Sequence, residues 1–196
     1  MFHAVHGDRA LATTLSDAQG GYSVALVTGG KPLDIYVRAT KEGRVTTLIF
    51  PPDPLTGDIV PCSPFHGTRG CILVASLTPA KAAAMAGFAG VTRDPARGEV
   101  LVIASDCTAG GAPVAGATVA IAPRPERLVY TQGPFPAPGA TATDASSRAF
   151  GFNIAPGPAT IRARYPDGDT GIAHVRIEVG AITIASTLPQ NGGCAR

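Results

Sequence analysis

The chain has no tryptophan and little charge. Charged side chains make up 15% of its 196 residues, against about 25% in typical soluble domains. Its 16 basic and 14 acidic residues give a net charge of +2 with no basic run, so we expect neither nucleic acid nor an anionic membrane surface as a partner. No apolar run approaches the roughly 18 residues of a spanning helix, and MFHAVHGDRA lacks the order of a signal peptide. We therefore expect no membrane span and no signal peptide within the chain.

Common catalytic and metal-binding motifs are also missing. The sequence contains no G-x-S-x-G, S-x-x-K, H-E-x-x-H or P-loop. The spacing of Cys62, His66 and Cys71 lacks the fourth ligand and the tight first spacing of a zinc site. The PDGDTG segment at 166–171 lacks the later glutamate of a calcium loop, so it is interpreted as a turn. We expect no enzyme activity, no metal and no cofactor.

Glycine and proline are abundant instead, with 24 and 18 residues, while hydrophobic residues make up 45% of the chain. Disorder requires low hydrophobicity and high net charge, and neither is found here. The composition is typical of many short strands joined by turns, and it predicts an all-β protein.

The four cysteines allow three pairings. We favour Cys62 with Cys71 and Cys107 with Cys194. Such disulfides would place the protein in an oxidising compartment.

A unit of sequence occurs twice. Ser16-Asp17-Ala18-Gln19-Gly20 corresponds to Thr143-Asp144-Ala145-Ser146-Ser147, and an apolar segment follows each, at 22–26 and 150–154. A strand with Arg-Ala, a glycine turn and a further strand then follow in both copies, ending at 50 and 179. The offset is 127 residues at the acidic turn, 124 at Arg-Ala and 125 at the glycine turn, which indicates a duplication.

We interpret the acidic residues of this repeat as turn-forming residues and not as catalytic acids or metal ligands. Asp17 and Asp144 can each accept the backbone N–H two residues on, and Gly20 can supply a positive φ. Ser147 replaces that glycine and tolerates a positive φ less well, so we expect its turn to differ in type.

Alternation of apolar and polar residues predicts strands with one wet face. Residues 161, 163 and 165 share one face, as do 173, 175, 177 and 179. The run at 99–105 is apolar almost throughout and predicts a central strand. Thr78 as N-cap and Pro79 at the first helical position predict one short helix over about 79–88, packed through Met85 and Phe88.

The ordered segments PVAGATV (113–119) and TDASSRAFGFNIAPG (143–157), followed by a strand with alternating arginines, resemble the carboxypeptidase regulatory-like domain, a transthyretin-like (prealbumin-like) β-sandwich. The resemblance covers Gly98 to about Leu188, and the first copy lacks the opening strands. It implies two tandem Ig-like or transthyretin-like antiparallel β-sandwich modules. The first, incomplete module takes residues 1–77, the helix and linker 78–97, and the second module 98–196.

This family is common in secreted and cell-surface proteins. The resemblance implies a non-catalytic extracellular, cell-surface or periplasmic module that acts as a structural spacer, adhesion or assembly element with a protein or polysaccharide partner. The alternative is a ligand-binding module that uses the Pro-rich loop 123–139, with Tyr130, Phe135, Arg124 and Arg127 as contacts. An enzyme is the third hypothesis.

Overall fold

The computed structural model describes residues 1–52, 54, 74, 76–107, 111–133 and 135–190. Within these ranges the chain is mostly β, as the composition predicts, with twelve strands and one α-helix. In chain order they are β1 (Phe2–His6), β2 (Arg9–Thr14), β3 (Tyr36–Ala39), β4 (Thr47–Phe50), α1 (Pro79–Phe88), β5 (Gly98–Ala104), β6 (Thr118–Ala122), β7 (Arg127–Gln132), β8 (Phe135–Ala137), β9 (Arg148–Ile154), β10 (Gly157–Arg164), β11 (Thr170–Ile177) and β12 (Ile182–Thr187).

The strands form two sheets that pack against each other. One sheet has nine strands in the order β2-β1-β3-β4-β12-β5-β9-β7-β8, and the other has three in the order β11-β10-β6. The main hydrophobic core takes buried side chains from both sheets, among them Val100, Val102, Ile121, Ile161 and Ile177. Burial of these apolar groups is what holds the two layers together.

The last strand corrects the expected antiparallel arrangement. Ile184 of β12 lies opposite Ile49 of β4 on one side and Leu101 of β5 on the other, and both pairings are parallel. The larger sheet is therefore mixed. A two-residue hairpin would force neighbouring strands to be antiparallel, but β12 enters this sheet directly after β11 of the other sheet and has no hairpin partner here.

One hairpin is repeated with its register intact. Arg38 lies opposite Leu48 in β3–β4, and adding 124 to both numbers gives Arg162 opposite Ile172 in β10–β11. The rest of the unit differs, because residues 22–26 form no strand whereas 150–154 belong to β9. The two hairpins also lie in different sheets. The nine-stranded sheet contains strands from both predicted modules, and the division into modules stays a prediction.

The helix begins and ends as predicted. Pro79 is its first residue, and the Lys81 N–H donates to the Thr78 side chain at 3.3 Å. The expected packing is confirmed for Met85, which packs against a core cluster with Phe150 and Phe152. It is wrong for Phe88, which is 61% exposed, while Ala82 and Ala86 are buried. Small alanines one turn apart let the helix approach the sheet closely.

The predicted strand faces are confirmed in most places. Ile161, Ala163 and Tyr165 are buried, while Arg162 and Arg164 between them are exposed. β5 lies between β12 and β9 near the centre of the larger sheet, as expected for its apolar sequence. The exception lies just after β11, where residue 179 is 63% exposed because the strand ends two residues earlier.

Candidate functional site

In both acidic turns the aspartate carboxylate accepts backbone N–H groups, as predicted. Asp17 Oδ1 accepts the Gln19 N–H at 3.0 Å and the Gly21 N–H at 2.7 Å. Asp144 Oδ1 accepts the Ser146 N–H at 2.8 Å and its hydroxyl at 2.5 Å, and Oδ2 accepts the N–H of residue 133 at 2.8 Å. The Ser146 hydroxyl, followed by the backbone donors, lowers the pKa of Asp144. Both carboxylates stabilise turns.

The expected difference between the turns is wrong. The Gly20 N–H donates to the Asp17 carbonyl at 3.1 Å, and the Ser147 N–H donates to the Asp144 carbonyl at 2.9 Å. Both residues are left-handed, with φ of 87° at Gly20 and 57° at Ser147. Ser147 is fully buried, and its hydroxyl has no hydrogen-bond partner among the described residues.

We expect Ser147→Gly to raise the free energy of unfolding by about 1 kcal/mol. Glycine removes about 1–2 kcal/mol of left-handed strain and an unpaired buried hydroxyl, while its extra freedom in the unfolded chain costs about 0.5–1 kcal/mol. Equilibrium unfolding in urea measures the change. Ser147→Ala is the matched variant, since it removes the hydroxyl and keeps the Cβ atom. If Ser147→Ala raised stability as much as Ser147→Gly, the left-handed backbone at residue 147 would carry no strain.

The residues predicted to bind a ligand through 123–139 are not brought together. Most of this segment forms the β7–β8 hairpin, and Tyr130 lies in the core with its hydroxyl accepting the Val119 N–H at 2.9 Å. Arg127 and Phe135 are both exposed but lie at opposite ends of β7, about 17 Å apart. Arg124 is exposed in the preceding connection.

The Phe135 ring meets another exposed aromatic ring. It packs edge-on against Phe88 of α1, with the ring centroids 6.0 Å apart. This contact ties the end of the helix to the edge of the larger sheet.

Three of the four cysteines, Cys62, Cys71 and Cys194, lie outside the described residues. The described ranges contain no free cysteine, and Cys107 Sγ lies 3.9 Å from the carbonyl oxygen of Pro189. This position brings Cys107 near the chain shortly before Cys194. Both disulfide pairings stay predictions.

Neither a cluster of metal ligands nor a membrane-spanning helix occurs among the described residues. No group of three or more histidine, cysteine, aspartate or glutamate side chains there is arranged to hold a metal ion. None of the helices in that part of the chain combines the length and the apolar character needed to cross a membrane.

A cavity among the described residues lies where β3 ends and β4 begins. Its volume is about 340 Å³. Its lining includes buried Ala39, Val45 and Thr47 and exposed Lys41 and Arg44. Its lining therefore combines buried side chains with two exposed cations.

Three further residues that carry a hydroxyl group line this cavity. Ser16 comes from the first acidic turn, Tyr22 from the segment after it, and Ser76 from the segment before α1. Burial raises the pKa of Tyr22, so its phenol is neutral at ordinary pH. The cavity thus combines cations, hydroxyls and one aromatic ring.

The sequence contains only one signal of this cavity. The turn of the first copy reads Lys41-Glu42-Gly43-Arg44, with cations on both sides of a glycine. What it could not indicate is that Ser16, Tyr22 and Ser76 meet the turn, because these residues are distant in sequence.

No protein-family model matches the chain, and no curated protein matches it. The resemblance to the carboxypeptidase regulatory-like domain therefore rests on the motifs quoted above.

Proposed function

We propose that the chain is a non-catalytic module of an extracellular or cell-surface protein, built from two related transthyretin-like units, and that it serves as a stiff spacer or assembly element. Its polar side chains support this role because many of them form hydrogen bonds with backbone groups. Asp17 and Asp144 fix turns, Tyr130 accepts a strand N–H, and the Tyr165 hydroxyl donates to the Thr187 carbonyl at 2.6 Å.

The direction of the strands is the observation that carries the proposal. β1 is antiparallel to β3, β3 is antiparallel to β4, and β4 is parallel to β12. β1 and β12 therefore run the same way in one sheet. Tension applied before β1 and after β12 acts along the strands, at right angles to the hydrogen bonds that join antiparallel neighbours. All hydrogen bonds between two paired strands then bear the force at the same time. Such an arrangement resists extension, as a spacer must.

Single-molecule force spectroscopy with two attachment geometries tests this role. One handle precedes Met1, and the other is placed either at Gln190, after β12, or at exposed Val179, before it. Val179 lies at the same end of the sheet as the start of β1, so force from there separates the strand pairs one at a time. We expect a clearly higher rupture force with Gln190.

Equal rupture forces in the two geometries would refute the spacer role. Unfolding of residues 1–50 at low force, before the rest, would refute it as well, because the first strands would then bear no load.

We do not propose the alternative ligand site at 123–139. Tyr130 is buried there, and Arg127 and Phe135 are too far apart to contact one small ligand.

A further inference from the structure

We propose that the cavity beside the Lys41–Arg44 turn binds a small anionic ligand that carries a carboxylate or a phosphate group. This inference is independent of the spacer role, since it depends on a different part of the molecule.

The two cations are not neutralised by acids in the described part of the chain. Four ion pairs occur there, and neither Lys41 nor Arg44 belongs to any of them. Arg44 Nη1 makes one long contact of 3.4 Å with the Ser76 carbonyl oxygen. A guanidinium has five N–H donors, so most of its donor capacity remains for a ligand.

The turn itself brings the two cations together. The Arg44 N–H donates to the Lys41 carbonyl at 3.1 Å, and Gly43 has the left-handed φ of 68° that the turn requires. The first and fourth residues of such a turn have Cα atoms within about 7 Å of each other. Both charged side chains therefore belong to one short piece of backbone that lines the cavity.

The repeat shows that the turn does not need these charges. Adding 125 to the residue numbers of the Lys-Glu-Gly-Arg turn gives Pro166-Asp167-Gly168-Asp169, where Gly168 is also left-handed with φ of 91°. The second copy thus joins its hairpin without any basic residue at the turn. Lys41 and Arg44 are therefore available for a role other than folding.

The size and lining of the cavity define the ligand further. A volume of about 340 Å³ lies at the lower end of the roughly 300–1,000 Å³ typical of small-molecule sites. Hydroxyl groups on Ser16 and Ser76 suit a polar ligand, and the ring of Tyr22 offers an apolar wall. An acidic or phosphorylated monosaccharide has the corresponding size, charge and polarity.

Isothermal titration calorimetry with three sugars tests the site. Glucuronate carries a carboxylate, glucose 6-phosphate carries a phosphate, and glucose carries no charge. We expect at least one charged sugar to bind, with affinity that falls as salt is added, and glucose to bind at least about tenfold more weakly. Binding of only one charged sugar identifies which group the site selects.

The double variant Lys41→Ala/Arg44→Ala should weaken binding of the charged sugar at least about tenfold. Arg164→Ala is the matched control, because Arg164 is an exposed cation on the three-stranded sheet, and its binding should equal that of the wild type. Thermal unfolding should be unchanged in both variants, since the altered side chains are exposed.

The proposal is overturned if no charged sugar binds, if glucose binds equally well, or if the double variant binds like the wild type. A double variant that loses both binding and folded structure would be replaced by Lys41→Gln, which stays polar, is one heavy atom shorter and removes the charge. Unchanged affinity in a folded Lys41→Gln protein would also overturn the proposal.

Discussion

Gly98→Ala is expected to lower the free energy of unfolding by about 3 kcal/mol, the upper part of the usual range for overpacking. A Cβ atom added at Gly98 would lie 2.6 Å from the Glu178 carbonyl oxygen and would also overlap the Ile177 side chain. This backbone cannot move away freely, because the Gly180 N–H donates to the Arg97 carbonyl at 2.8 Å and the Ala181 carbonyl accepts the N–H of residue 99 at 3.0 Å.

Gly139→Ala is the matched control for this substitution. Gly139 is exposed, has an ordinary φ and has no atom within 4 Å of an added Cβ position. Its stability should stay within about 0.5 kcal/mol of the wild type. Urea unfolding measures both variants. Similar losses at Gly98 and Gly139 would mean that the crossing from β11 to β12 does not pack against the start of β5.

Arg93→Met is expected to lower the free energy of unfolding by about 3 kcal/mol, because it leaves a buried carboxylate unpaired. Arg93 Nε donates to Glu99 Oε1 at 2.9 Å, with side-chain exposures of 15% and 3%. Arg93 Nη2 also donates to the Gly180 carbonyl at 2.7 Å. Methionine fills similar space but provides neither the charge nor the hydrogen bonds.

The loss in Arg93→Met should depend on pH. Burial raises the pKa of Glu99 above its ordinary value of 4.5, and Arg93 partly opposes this rise. Without Arg93 the pKa rises further. Because the pKa of Glu99 is higher in the folded than in the unfolded state, protonation of Glu99 favours the folded protein. This contribution to stability is complete below the pKa of the unfolded state and is lost as pH rises through the pKa of the folded state. The deficit should therefore be largest near neutral pH and shrink toward pH 4.5.

Arg97→Met provides the control for this ion pair. Arg97 Nε lies 3.5 Å from Asp94 Oδ2, and both side chains are more than 40% exposed. Such a pair contributes less than about 1 kcal/mol, so its loss should be small and nearly independent of pH. The double variant Arg93→Met/Glu99→Gln should recover much of the stability lost in Arg93→Met. Equal losses in Arg93→Met and Arg97→Met, measured by urea unfolding, would contradict the argument.

Some features could be predicted because they depend on neighbours in sequence. Thr78 caps the helix through a residue three positions away, and Asp17 and Asp144 accept N–H groups two positions away. The alternation of burial from 161 to 165 follows from the geometry of any strand. No distant contact is needed for these predictions.

Other features could not be predicted, since they depend on which distant elements meet. The helix packs through Met85 and its alanines and leaves Phe88 exposed, because the strands that it meets decide which of its sides is covered. Tyr130 lies in the core because β7 pairs with β9 inside the larger sheet. Neither the sequence nor its repeat indicates these pairings.

By itself the sequence determined the β-rich composition, the helix over 79–88, the acidic turns and the repeated hairpin, whose backbone hydrogen bonds join residues close together along the chain. Only the tertiary structure decided that β12 lies parallel between β4 and β5 and that Lys41 and Arg44 open onto a cavity with Ser16 and Ser76. The physical reason is that sheet order and cavities arise from the burial of apolar faces between segments distant in sequence, and local patterns leave the choice of partner open.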